Sequence, residues 1–177
     1  MTATILTPRP SQMDKDTFVA NYGEIYEHSP WVAELAWEKG LEERHDNPVE
    51  LAKLMGEVLS SASPERQLEV VRAHPDLAGK AAIAGELTDD STREQAGAGL
   101  DQCTPEEMAR FERLNDAYKA RFDFPFVMAV KGSDRHAILE AFETRLKNDA
   151  TEERRTVIEQ INRIALFRLE ARAAGEG

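Results

Sequence analysis

The 177-residue sequence has a single cysteine, Cys103. One thiol can form neither an internal disulfide nor a thiolate metal cluster, which fits a reducing compartment. Positive charge is also scarce: 22 Lys and Arg stand against 33 Asp and Glu, a formal net charge of −11. Nucleic-acid phosphates need basic residues to displace counterions, and anionic membranes recruit basic clusters, so neither is an expected partner. A small anionic substrate stays open, because a buried pocket sets its own local field. No apolar run approaches the ~20 residues of a membrane span. Residues 1–10 lack the basic start and apolar core of a secretory signal, and Ala174-Gly175-Glu176-Gly177 is no targeting tripeptide. The expectation is a cytoplasmic protein.

Strand signals are nearly absent, and helical periodicity fills the space. Residues 1–10, with two prolines, read as a disordered or extended lead-in, and 11–173 as one helical domain long enough to bury its own core. Phe18, Val19, Tyr22, Ile25 and Tyr26 form a stripe on a helix predicted from Asp14 to Glu27. Ser29-Pro30 predicts a cap and first turn for a short helix carrying Trp31, Leu35 and Ala36. Asn47-Pro48 and Ser63-Pro64 predict two more starts, the second helix ending at Ala73-His74 because Pro75 disfavours helical geometry before it. Ser91-Thr92-Arg93-Glu94 and Thr104-Pro105-Glu106-Glu107 both have capping-box spacing. Further helices are predicted from Ser133-Asp134 to Lys147 and from Thr151 to Ala173. The fold class is all-α, a single-domain orthogonal helical bundle of about eight helices.

Several chemistries are excluded by spacing. His28, His45, His74 and His136 contain no helical zinc pair. Gly79-Lys80 could end a phosphate loop, but the position five residues before Gly79 is His74 rather than glycine. What remains is irregular. His74, set before Pro75, is forced into an extended turn that can aim an imidazole into a cleft; equally, it is a cationic residue at a helix C-terminus. Ser91 to Gln95 is either a cap or a way to aim the Glu94 carboxylate and the Gln95 amide from a first turn. Phe124 to Val130 reads as core, yet Pro125 breaks regular pairing and frees backbone groups. Arg168, between Phe167 and Leu169, is either a rim arginine or a bidentate carboxylate clamp. Cys103 carries little as a nucleophile.

These residues together resemble the OHCU decarboxylase family, which acts on 2-oxo-4-hydroxy-4-carboxy-5-ureidoimidazoline in urate degradation. The resemblance rests on Tyr26-Glu27-His28-Ser29-Pro30-Trp31, His74-Pro75-Asp76-Leu77-Ala78-Gly79-Lys80 and Ser91-Thr92-Arg93-Glu94-Gln95 leading to Ala98-Gly99-Leu100. It continues through Asn115 to Tyr118, Arg121-Phe122-Asp123-Phe124-Pro125-Phe126 and Ile164-Ala165-Leu166-Phe167-Arg168-Leu169. Asp123 departs from the glycine of the family pattern, which should affect only the turn. The resemblance implies an all-helical homodimer without metal or organic cofactor, releasing CO₂ from the ureidoimidazoline to give (S)-allantoin. It implies His74 as general acid, with Glu94 beside it in catalysis. It implies substrate contacts from Pro75, Ser91, Thr92, Arg93, Glu94 and Gln95, from the stretch Phe126, Val127, Met128, Ala129 and Val130, and from Arg168. Two rivals share the pattern: a paralogue handling another ureido or imidazoline compound, and a helical binding module without catalysis.

Overall fold

The computed structural model describes residues 4–79 and 84–175. Lys80, which closes the His74–Lys80 motif, lies outside the described residues, as do residues 1–3 of the lead-in and the last two residues. The chain is all-α: eight α-helices, and no strand, occur among the described residues. They are α1 (Lys15–Tyr22), α2 (Trp31–Glu38), α3 (Pro48–Ser60), α4 (Pro64–Arg72), α5 (Asp89–Gly97), α6 (Pro105–Phe122), α7 (Arg135–Arg145) and α8 (Ala150–Ala173). None of the described helices is long and apolar enough to cross a membrane.

The chain forms two compact units, residues 1–73 with 162–177, and residues 74–161. The chain passes between them at Ala73-His74 and again within α8, so the division needs no linker. In the first unit α1 packs on α2 and α2 on α3. Their buried faces carry Phe18, Tyr22, Val32, Ala36, Leu51 and Met55. Near the start of the described residues, Leu6 is fully buried, and its N–H donates to the Asp46 carbonyl at 2.8 Å. The second unit is built on an aromatic cluster in which Tyr118 meets Phe122, Phe124, Phe126 and Phe142 at centroid distances of 4.6 to 6.0 Å.

Local capping explains most boundaries. Asn47 accepts from the Val49 N–H at 2.8 Å with Pro48 in the first turn, and Thr104 and Glu107 form a reciprocal capping box. Each such cap contributes about 1 kcal/mol. Two expected caps are corrected. Thr88, not Ser91, caps α5 by accepting from the Ser91 N–H at 3.2 Å, so Ser91 lies inside the helix. Pro30 occupies the cap of α2, and the Ser29 hydroxyl turns back to donate to the Glu27 carbonyl at 2.9 Å. The first helix also ends earlier than predicted, at Tyr22; a β-carbon on Gly23 would stand 2.5 Å from the Val19 carbonyl oxygen.

Three caps are acid-sensitive. Hydrogen bonds from Thr17 to Asp14, from the Thr104 backbone to Glu107 and from the Ala137 backbone to Asp134 hold these carboxyls below their ordinary values. In the unfolded chain they take up protons at higher pH, so their contribution is present above the carboxylate range and lost as pH falls through it. The urea midpoint should therefore drop between pH 7 and about pH 3. Asp14→Ser, Glu107→Gln and Asp134→Ser combined should flatten that fall; an unchanged acid limb would count against it.

Candidate functional site

The second unit opens on His74. Helix α4 ends at Arg72 and Ala73 caps it, as the following His-Pro pair predicts. His74 is 8% exposed. The backbone beyond it is a turn fixed by side chains from two helices. The Gln95 amide spans it, its oxygen accepting from the Ala78 N–H at 3.0 Å and its nitrogen donating to the Asp76 carbonyl at 3.4 Å. Asn115 on α6 donates to the Leu77 carbonyl at 3.0 Å, and one turn later Lys119 pairs with Asp76 at 2.6 Å. Ala78 is held in the left-handed region at φ 51°, a conformation a non-glycine residue keeps only when its surroundings enforce it. At Gly79 a β-carbon would come within 2.7 Å of the Asp76 β-carbon, so the turn closes only on glycine.

Along α5 the five expected residues separate by face. Ser91 and Gln95, four apart, are buried; Glu94 is half-buried; Thr92 and Arg93 are exposed. Thr92 donates its hydroxyl back to the Thr88 carbonyl, and Arg93 pairs with Asp90 at 2.6 Å. Since Thr88 begins the helix, Glu94 and Gln95 lie in its second turn rather than its first. Beside Gln95 a cavity of about 470 Å³ is lined by Ala78, Leu87, Thr92, Cys103 and Met108 among others. Burial, and then the Glu107 carboxylate, push the Cys103 thiol above its ordinary value, which argues against a nucleophile there.

The stretch from Phe124 to Val130 forms no regular element, in keeping with Pro125. Asp123, which stands where the family pattern has glycine, adopts the glycine-like left-handed conformation at φ 62° and closes α6. Beyond it the backbone is pinned: the Val127 carbonyl accepts from Arg145 at 2.8 Å, and the Ala129 N–H donates to Gln160 at 2.9 Å. Between these pins the N–H and C=O of Met128 have no partner among the described residues. Arg145 also lies 4.3 Å over the Phe126 ring and pairs with Glu153, which is wholly buried.

Arg168 belongs to the first unit. It is no rim arginine: it is 4% exposed, and its guanidinium pairs with Glu27, itself 1% exposed, at 3.1 Å. Sequence reasoning placed Glu27 and Asn115 inside family motifs but gave them no role; their burial is the property that a sequence does not print. Among the described residues no group of three or more His, Cys, Asp and Glu side chains is placed to hold a metal ion.

Comparison with known proteins shows the family. The OHCU decarboxylase family model matches residues 11–170. The 2-oxo-4-hydroxy-4-carboxy-5-ureidoimidazoline decarboxylase of Haloferax volcanii is 43% identical over 170 residues, covering 94% of this chain and 95% of that protein. The same-named protein of Halalkalicoccus jeotgali is 41% identical, covering 90% and 87%. A crystal structure of (S)-allantoin synthase superposes with a TM-score of 0.72 at 27% identity, covering 92% of this chain; the chain spans about half of that protein, 52%. With residues 11–170 matched by the family model and nearly its whole length by the Haloferax volcanii protein, the chain belongs to the OHCU decarboxylase family.

Proposed function

We propose that this chain is the carboxy-lyase its family is named for, converting 2-oxo-4-hydroxy-4-carboxy-5-ureidoimidazoline to (S)-allantoin in urate degradation, with His74 as general acid. The observation that carries the reading is 43% identity to a protein of that name over nearly the full length of both chains. Handedness of the product draws support from the likeness to (S)-allantoin synthase.

Breaking the carbon–carboxylate bond releases CO₂ and leaves its electron pair on carbon. The substrate's own C=N group accepts that pair, and one proton then completes the product. The protein's work is to orient the carboxylate, stabilise the developing charge and deliver the proton to one face. Imidazole suits the delivery because it titrates near neutral pH. His74 sits at the head of a turn that Gln95, Asn115 and Lys119 immobilise, so the acid is preorganised. Glu94 holds substrate hydroxyl or ureido N–H groups. Gln95 holds the turn with one oxygen lone pair and one N–H, and meets the substrate with the remaining donor and acceptor capacity of its amide. Around the pinned stretch, backbone groups from Phe126 to Val130 meet the substrate's polar edge. Ser91, Thr92, Arg93 and Pro75 complete the contacts, and Arg168 takes an anionic group. The enzyme works in the cytoplasm as a homodimer, twice the 19.8 kDa chain mass, which sedimentation reads directly.

The test supplies urate with the upstream enzymes, so that the substrate forms in place, and follows CO₂ release. The protein should accelerate it well beyond spontaneous decay; no acceleration by folded protein would end the proposal. Glu94→Gln should lose about 10²-fold or more in kcat/KM with little change in melting temperature. A large fall in melting temperature with normal specific activity would make Glu94 a structural residue only.

A further inference from the structure

We propose that Glu27 is a positioning residue for Arg168, fixing the plane of its guanidinium for an anionic group of the substrate; the inference rests on the reading of Arg168 given above. Two ionised side chains buried this deeply, separated by 141 residues in sequence, are an expensive way to fasten a helix. Well-packed apolar residues of similar volume serve stability as well or better. The cost is understandable if the guanidinium itself is needed.

The geometry suits orientation rather than simple neutralisation. One short segment between α1 and α2 presents two acceptors to one fork. Glu27 Oε2 accepts from Nη2 at 3.1 Å, and the Ile25 carbonyl accepts from Nη1 at 3.4 Å. Two acceptors on two different nitrogens define a plane, which a single contact cannot. The segment is itself immobilised. The Ser29 N–H donates to the Tyr26 carbonyl at 3.0 Å, the Ser29 hydroxyl holds the Glu27 carbonyl, and His28 turns the chain through the left-handed region at φ 48°. Such strain persists only where surrounding structure enforces it. This gives a role to the Glu27-His28-Ser29 part of the motif.

The test is a two-by-two kinetic cycle on the full chain with substrate generated in place: wild type, Glu27→Gln, Arg168→Lys and the double variant, each with a melting curve. Glu27→Gln keeps size and one acceptor oxygen. It should lower kcat/KM by about 10²-fold in the wild-type background. In the Arg168→Lys background it should lower it less than about twofold, because an ammonium has no plane to orient. Equal losses in both backgrounds, or a lowered melting temperature with wild-type kcat/KM, would make Glu27 structural and overturn the inference. Should Glu27→Gln melt below the assay temperature, Glu27→Asp, which keeps the charge, carries the same cycle with the same criteria. Wild-type kcat/KM in Arg168→Lys would defeat the assignment of Arg168 itself. An impaired Arg168→Lys beside a normal Glu27→Gln would defeat the inference alone.

Discussion

Alanine at position 74 eliminates enzymatic turnover and leaves the helical dichroism spectrum and the melting temperature close to those of the wild type. The expected loss is at least about 10²-fold in kcat, the span that a positioned general acid contributes. Only spontaneous decay of the substrate would remain. The fold should survive because, besides the Lys119–Asp76 side-chain pair, the bonds that fix the turn run to backbone atoms of Asp76, Leu77 and Ala78. They come from Gln95 and Asn115, whose side chains the substitution leaves in place. Retained stereoselective production of allantoin by well-folded His74→Ala would remove His74 as the acid. Collapse of the fold would show instead that the imidazole supports the turn.

The second large effect is on stability. Glu153→Ala should destabilise the protein by about 3–5 kcal/mol. Glu153 is wholly buried and accepts three hydrogen bonds, from Tyr118 at 2.6 Å, Arg145 at 2.8 Å and Asn148 at 2.9 Å. Burial, and then the bond to Glu153, push the Tyr118 hydroxyl above its ordinary value, so Tyr118 remains a donor. Removing the carboxylate strands the Arg145 guanidinium, whose side chain is 11% exposed. At roughly 2–4 °C per kcal/mol for a chain of this size, the melting temperature should fall by about 10 °C. A fall of only a degree or two would mean that solvent or a rearranged Arg145 compensates. Because Arg145 also holds the Val127 carbonyl, the same variant should weaken substrate binding when assayed well below its melting point.

Local signals were legible; long-range polar pairing was not. Asn47-Pro48 and the Thr104 to Glu107 box were readable because a cap is decided within four residues. The same spacing misplaced the start of α5. Ser91 and Thr88 are three residues apart, and either hydroxyl could cap; the pattern alone does not choose between them. His74 stood out because proline constrains the residue before it. The clamp around it did not, since Gln95 and Asn115 reach the turn across 17 and 38 residues. Buried charge was the least visible feature. Glu27 and Glu153 look in sequence like any solvated glutamate, and only tertiary pairing with Arg168 and Arg145 lets them enter the interior. Arg168 is conspicuous in the sequence as a lone guanidinium among apolar neighbours, whereas nothing local marks Glu27 as its partner.

The most direct measurement follows circular dichroism of the allantoin formed when urate and the upstream enzymes supply substrate. With the wild-type chain present, a single enantiomer, (S), should appear faster than unassisted decay produces the racemate. Signal-free, racemic allantoin at the unassisted rate, made in the presence of folded protein, would contradict the account.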